Sequence, residues 1–235
     1  MLIMVAIIAV GFWSPWIEKL DLGKRISLLE WLALTASRAE ILRFTYATPA
    51  VIVAGSLLAL AAVVLRVWGT AYLGYGTVQH AEMKAGGVMA DGPYRYVRNP
   101  LYLGSWCMIG AMAFLMPPTG ALFTMALITV FLLRLILGEE AFLAAALGDA
   151  YREYRSKVPR LFPRLRGAPP SARHKPHWIA GIAGELNPIG VFVTLAVVSW
   201  WYDNELMIKS ILVSFGISLI VRALLPRGQA TSSVE

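Results

Sequence analysis

Long apolar runs separated by short polar segments make up most of the chain. About 20 apolar residues are needed to cross the hydrocarbon core of a bilayer. Runs near or above this length lie at 2–17, 48–73, 100–116, 118–137, 187–202 and 206–225. The pattern predicts an all-α, polytopic integral membrane protein with about six transmembrane helices. The first run could also be a secretory signal, but it has no basic start and no convincing cleavage site, so we interpret it as an anchor.

The connections between the runs predict the topology. Only Pro117-Pro118-Thr119 separates the third and fourth runs, which indicates a tight helical hairpin. Loops 74–99 and 138–186 then share one face, and the many Arg and Lys residues of the second loop favour the cytoplasmic side. A last hairpin, turning at 203–205, returns the C-terminus to that side. Residues 18–45 would be extracytoplasmic, with an interfacial helix around 26–36.

The same pattern divides the chain into four parts. We predict an N-terminal anchor and interfacial segment at 1–47 and a core at 48–165. A linker rich in proline and basic residues at 166–186 and a C-terminal transmembrane hairpin with its tail at 187–235 would follow.

Composition agrees with a membrane protein. The chain of 235 residues is 58% hydrophobic and 15% charged, with a mean hydropathy of +0.64, whereas soluble domains are about 45–50% apolar and about 25% charged. The net charge of +7 resides in the segments that join apolar runs, which argues against nucleic acid as a partner. A single cysteine and three scattered histidines give no indication of a disulfide or a metal site.

Polar residues concentrate at two points beside apolar runs. The first is Gly92-Pro93-Tyr94-Arg95-Tyr96-Val97-Arg98-Asn99-Pro100-Leu101-Tyr102-Leu103-Gly104, and the second is Glu139-Glu140. Because the predicted topology puts both on one face, we expect them to meet at one membrane edge. Two simpler explanations stay open: the aromatic and basic residues could be interface anchors, and the glutamates could favour the N-terminal dipole of a helix at 139–157.

These motifs resemble the membrane methyltransferases, a superfamily that includes the isoprenylcysteine carboxyl methyltransferases and the phospholipid N-methyltransferases. Gly148, Tyr151, Tyr154 and Val158-Pro159 through Pro163 resemble the tail motif of the isoprenylcysteine branch. The resemblance covers roughly 80–163, about a third of the chain.

The resemblance implies an S-adenosylmethionine site on the cytoplasmic side. Its implied cofactor-binding residues are His80, Val88, Gly92, Pro93, Tyr94, Arg98, Asn99, Pro100, Tyr102, Leu103, Gly104, Glu139 and Glu140. Either glutamate could receive the cofactor's ammonium group, and Arg98 could pair with its carboxylate or brace the loop. Tyr94 and Tyr102 could contact adenine or ribose.

The expected reaction is direct methyl transfer to a lipidic or small hydrophobic acceptor. The candidate catalytic residues are Glu140, Tyr151, Arg155 and Lys157. A carboxylate acceptor would need a cation, for which Arg155, Lys157 and Arg160 are candidates. An amine or thiol acceptor would have to lose a proton, to Glu140 or Tyr151. A prenylcysteine carboxylate, a phospholipid amine and a thiol therefore all stay open as acceptors.

Three positions depart from the family pattern. Asn99 and Gly86 stand where the family has histidines, and Lys157 stands where the isoprenylcysteine branch has arginine. These departures motivate a second hypothesis, a non-catalytic relative that binds lipid. A transporter is disfavoured, because the predicted spans lack paired intramembrane charges and matched broken helices.

Overall fold

A computed structural model of the protein describes residues 2–13, 26–73, 90–164 and 174–224. The α-helices of these ranges are α1 (Leu2–Trp13), α2 (Leu28–Arg38), α3 (Phe44–Leu73), α4 (Pro100–Ala113), α5 (Pro118–Lys157), α6 (Trp178–Gly184), α7 (Leu186–Ala196) and α8 (Asn204–Leu224). Two short 3-10 helices lie at Gly92–Arg95 and Val198–Trp201. No strand occurs in the described ranges, so the predicted all-α class is confirmed.

Helix α2 begins with a capping box. The Ser27 hydroxyl accepts from the Glu30 amide at 3.3 Å, and the Glu30 carboxylate accepts from the Ser27 amide at 2.7 Å. The amides of the next two residues, 28 and 29, donate to the carbonyls of Met116 and Phe114. The helix predicted around 26–36 is therefore present, and its start is fastened to the turn between α4 and α5.

Helix α5 is longer than the sequence predicted. It runs without interruption through Glu139 and Glu140, because the stretch from Leu135 to Leu147 contains no proline and consists largely of good helix formers. Gly148, with φ 56° and ψ −126°, is not helical and kinks the element, so residues 149–157 continue as a separate helical part. The predicted helix at 139–157 therefore does not begin at Glu139. Without a helix N-terminus at Glu139, the dipole explanation for the two glutamates no longer applies.

Among the described residues, three helices are long and apolar enough to cross a membrane: α3, α5 and α8. Helix α1 is shorter, with 12 residues, and α4 has 14. The predicted span at 187–202 is part of a broken helix, in which α6 and the segment Leu186–Trp201 meet at 68° and count as at most one further span. Pro188 explains this break, since it has no amide to donate to the carbonyl of Gly184. The six-span topology is thus not confirmed.

Helix α3 lies at the centre and packs against α2, α4, α6 and α7. The main core is formed by residues such as Ala59, Ile109, Ile128, Val191 and Met207. One end of the bundle, which we call the turn end, contains the α4–α5 turn; there Asn204 lies 3.4 Å from the Leu115 carbonyl. The opposite end contains the last turns of α3, the start of α4 and the break before α7, and we call it the site end.

Helix α8 runs antiparallel to α7 and returns to the site end. Its Ser214 hydroxyl lies 3.5 Å from the Leu186 carbonyl. Within the predicted linker 166–186, the described part forms α6 and contacts α3, since the His177 amide donates to the Ala71 carbonyl at 2.7 Å. Residues 174–224 are thus packed on the core by both polar and apolar contacts.

Candidate functional site

The two polar clusters of the sequence meet at the site end. Arg98 Nε lies 3.1 Å from Glu140 Oε1. The same guanidinium donates from Nη1 to the Arg155 carbonyl at 2.8 Å, and the Arg98 amide donates to the Pro159 carbonyl at 2.9 Å. A single arginine therefore connects the loop before α4 to α5 and to the segment that follows it.

Glu140 is the centre of this connection. Its side chain is only 4% exposed and also accepts from Asn99 Nδ2 at 3.1 Å and from Arg160 Nη2 at 2.9 Å. Two guanidinium groups and an amide occupy the carboxylate oxygens, so the negative charge is already neutralised within the protein. This arrangement favours an anchoring role for Glu140 over the predicted roles of ammonium ligand or proton acceptor.

Asn99 fits this network without a titratable group. Besides Glu140, its amide nitrogen donates to the Arg160 carbonyl at 3.2 Å. An uncharged donor suits a position between two arginines, where a protonated histidine would add like charge. Gly86, the second position where the family has a histidine, lies outside the described residues, as do the predicted site residues His80 and Val88.

The tail motif binds backbone carbonyls of the loop before α4. Tyr151, Tyr154 and Val158 form a small buried cluster with Leu143 of α5. The Tyr154 hydroxyl donates to the Tyr94 carbonyl at 2.7 Å, and the bond is buried. The Arg164 amide donates to the Tyr96 carbonyl at 2.9 Å. Tyr151 is 2% exposed and lies in the packing of this cluster, so its predicted catalytic role stays a prediction.

Glu139 has the opposite environment to Glu140. It is exposed, and its carboxylate lies within electrostatic range of the Tyr102 hydroxyl. Tyr94 stands nearby, 8% exposed, and its hydroxyl has no hydrogen-bond partner among the described residues. Burial, with Tyr154 and Glu139 nearby, raises the pKa of Tyr94 well above its usual value, so the hydroxyl keeps its proton. An accessible carboxylate and a buried hydroxyl without a partner among the described residues therefore lie within electrostatic range of each other.

The three basic residues predicted to hold an acceptor carboxylate have different partners. Arg160 is bound to Glu140, and the Lys157 ammonium lies 2.5 Å from Glu153 on the exposed face of α5. The Arg155 side chain is exposed and has no ion pair among the described residues, although its carbonyl accepts from Arg98. Arg155 is therefore the cation of this group that is most readily available to an acceptor.

The remaining predicted residues shape the backbone. Gly92 has φ +56°, and a Cβ there would lie 2.5 Å from the Tyr72 ring. Pro93 lies in the first 3-10 turn and Pro100 begins α4. A Cβ at Gly104 would lie 2.5 Å from Arg66 Cγ, so close helix packing accounts for this glycine. Leu103 packs against the main core. The predicted cofactor contacts of these residues stay predictions.

Sequence reasoning missed a second polar cluster at the site end. Arg66 Nε lies 2.6 Å from Glu185 Oε2, and its Nη2 lies 3.0 Å from Glu185 Oε1, to which the Thr70 hydroxyl also donates at 2.7 Å. Arg66 further donates to the Leu101 carbonyl and to the Ser105 hydroxyl. Arg66, inside the predicted span 48–73, thus has a charged partner in the predicted linker 166–186, which the sequence analysis did not foresee. The signal was a single arginine late in an apolar run, since such a residue requires a partner.

Comparison with known proteins finds a family match that includes part of this site. Residues 50–150 match the family model of phospholipid methyltransferases. The chain is also 38% identical over 80 residues to protein-S-isoprenylcysteine O-methyltransferase of Schizosaccharomyces pombe, an alignment that covers 33% of this chain and 34% of the relative. The chain thus matches about a third of that curated relative's length. No solved structure gives a significant match.

These comparisons confirm the resemblance that the motifs carry. The matched residues include α4, the loop before it and both glutamates of α5. Arg160 and the C-terminal helices lie beyond the family match, so their contacts with the site come from the structure alone.

Proposed function

We propose that this protein is an S-adenosylmethionine-dependent membrane methyltransferase that transfers a methyl group to an acceptor with a lipid-like tail. The observation that carries the proposal is the binding of Glu140 by Arg98, Asn99 and Arg160, which holds the tyrosine-containing loop beside the exposed Glu139. The family match over residues 50–150 and the apolar helices support the same class of protein.

The residues at this edge fit the cofactor. A free carboxylate at Glu139 suits an ammonium group, and the buried Tyr94 hydroxyl offers a donor that has no partner among the described residues. Tyr102, within electrostatic range of Glu139, offers a ring face at the start of α4. We therefore assign the ammonium to Glu139 and give Glu140 the task of holding the loop.

The bound cofactor would supply an electrophilic methyl group on its sulfonium. The chain would mainly position the two reactants, because in-line methyl transfer gains most from orientation. Arg155 is the candidate for holding an acceptor carboxylate. An amine acceptor, as in the phospholipid N-methyltransferases, stays an alternative, and so does a thiol acceptor. The cytoplasmic location of the site rests on the basic residues of segment 138–186.

Isothermal titration with S-adenosylhomocysteine tests the cofactor assignment. We expect the purified protein to bind it, and Glu139→Gln to weaken binding about tenfold or more, the usual worth of a charge-assisted hydrogen bond. Glu205→Gln, the same change in an exposed residue at the turn end, is the matched control. Absence of binding to the folded wild type would support the non-catalytic relative and would contradict the proposal.

A labelled-methyl screen tests the acceptor. Prenylcysteine, phosphatidylethanolamine and a small apolar thiol would be supplied separately, and the products identified by mass. For a carboxylate acceptor, Arg155→Gln should raise the acceptor KM with little change in the cofactor KM, whereas Arg152→Gln, an exposed neighbour paired with Asp149, should change neither. Equal effects of the two variants would contradict the assignment of Arg155 to the acceptor site.

A further inference from the structure

The segment that follows the family match contacts the candidate site through a buried ion pair. Glu185 is 1% exposed and lies at the break between α6 and α7, while Arg66 is 15% exposed and lies near the end of α3. The remaining guanidinium nitrogen of Arg66 donates to the Leu101 carbonyl in the first turn of α4. Arg66 therefore connects the break in the C-terminal segment to the residues that directly follow the loop motif.

Tyr94 lies beside the turn of α3 that follows Arg66. A Cβ placed at Gly69, one turn from Arg66, would lie 3.5 Å from the Tyr94 hydroxyl and 2.8 Å from the Leu101 side chain. The charges of Arg66 and Glu185 both act on that hydroxyl. The unpartnered donor that we assign to the cofactor is thus positioned on a surface that the ion pair organises.

A second contact joins the same segment to the start of the loop. His174 donates its amide to Asp91 Oδ2 at 3.0 Å, and its Nδ1 lies 2.6 Å from the same oxygen. Asp91 is fully buried and directly precedes Gly92. Residues 174–185 therefore contact Asp91, next to the start of the loop motif, directly, and reach Leu101, near its end, through Arg66.

We propose that Glu185 is a positioning residue for the candidate cofactor site, acting through Arg66 on the start of α4 and on Tyr94. The inference rests on the proposed function and adds a residue outside the family match. A buried ion pair is seldom more stable than apolar residues of the same size. An ion pair that fixes the orientation of two helices and a tyrosine has a use that apolar residues cannot supply, because hydrogen bonds are directional and hydrophobic contacts are not.

Glu185→Gln and Thr70→Val test the proposal together. The first removes the charge, and the second removes one hydroxyl donor to Glu185 while keeping the side chain's shape. We expect Glu185→Gln to weaken S-adenosylhomocysteine binding about three- to thirtyfold, the range for residues that act on a site without touching the ligand. Thr70→Val should have a smaller effect in the same direction. The cofactor KM should rise with kcat little changed, and the exposed pair Glu205–Lys209 gives matched controls.

Hydrogen exchange of residues 92–101 provides a readout that does not depend on the reaction. Both variants should exchange faster in this stretch than the controls. If Glu185→Gln does not fold, Thr70→Val decides, and its unchanged affinity and unchanged exchange would overturn the proposal. If the wild type does not bind S-adenosylhomocysteine, the proposed function fails, and faster exchange in the variants would still support the positioning role.

Discussion

Glu140 and Glu185 are both buried carboxylates that arginine neutralises, but their partners come from different kinds of structural element. Glu140 is bound by Arg98, Asn99 and Arg160 from irregular segments at the site end, and Arg160 is 38% exposed. Glu185 is bound by Arg66 and Thr70, one turn apart on α3, in apolar surroundings. The comparison teaches that a polar cluster built around a loop motif is visible in the sequence, whereas a buried pair 119 positions apart in sequence leaves only two isolated charges.

The largest expected effect is that of Glu185→Ala on stability. The change leaves the Arg66 guanidinium buried without a counter-charge, which typically costs about 3–5 kcal/mol. We expect a large fall in the melting temperature of the detergent-solubilised protein, while Glu205→Ala on the exposed end of α8 should leave it unchanged. A smaller fall in melting temperature than that caused by Glu140→Ala would contradict this ranking of the two carboxylates.

Glu140→Ala should cost less, about 2–3 kcal/mol. Arg160 can turn its exposed side chain to water, and Arg98 keeps its bond to the Arg155 carbonyl. The same thermal measurement, combined with titration of S-adenosylhomocysteine, checks this. Binding should suffer more than stability, since the loop loses its anchor; an unaltered affinity would show that Glu140 does not position the loop.

Tyr154→Phe should cost about 1–2 kcal/mol, because the buried Tyr94 carbonyl loses its 2.7 Å donor. Thermal unfolding measures the effect. Tyr202→Phe, which changes an exposed tyrosine at the turn end, serves as the control. Equal stability of the two variants would mean that the tail motif does not hold the loop through this bond.

Tyr94→Phe should have the smallest effect on stability, between no change and a gain of about 1 kcal/mol, since it removes a buried hydroxyl without a partner among the described residues. It should nevertheless weaken S-adenosylhomocysteine binding. Together with Tyr154→Phe, it separates a hydroxyl used by the fold from one kept for a ligand. A clear loss of stability without loss of binding would contradict our assignment of Tyr94.

Much of the site could be predicted because its polar residues are grouped in two short stretches, 92–104 and 139–140, at the ends of apolar runs. The proline-rich turn at 117–119 placed both clusters on one side, and Arg98 and Glu140 indeed meet. What the sequence could not predict was which glutamate is buried. Two adjacent helical residues point about 100° apart, and the packing of Arg98, Asn99 and Arg160 around one of them decides which is enclosed.

The spans were harder to predict because apolarity does not measure helix continuity. The run at 187–202 is apolar, yet its helix begins only after the break at Glu185 and reaches the length of a span only together with α6, from which it bends by 68°. Conversely, the polar pair Glu139-Glu140 predicted a helix start where α5 simply continues, since charged residues interrupt a membrane span without interrupting a helix.

The sequence by itself determined the helical membrane class, the hairpin and the residues of the loop motif, because apolar length and local turn chemistry act over short distances. Tertiary structure alone decided that Glu140 is an anchor, that Glu139 stays accessible, and that Arg66 and Glu185 bind each other. These outcomes depend on which side chains meet after α3, α4, α5 and α7 have packed. Burial and charge pairing are properties of that arrangement rather than of any single stretch of chain.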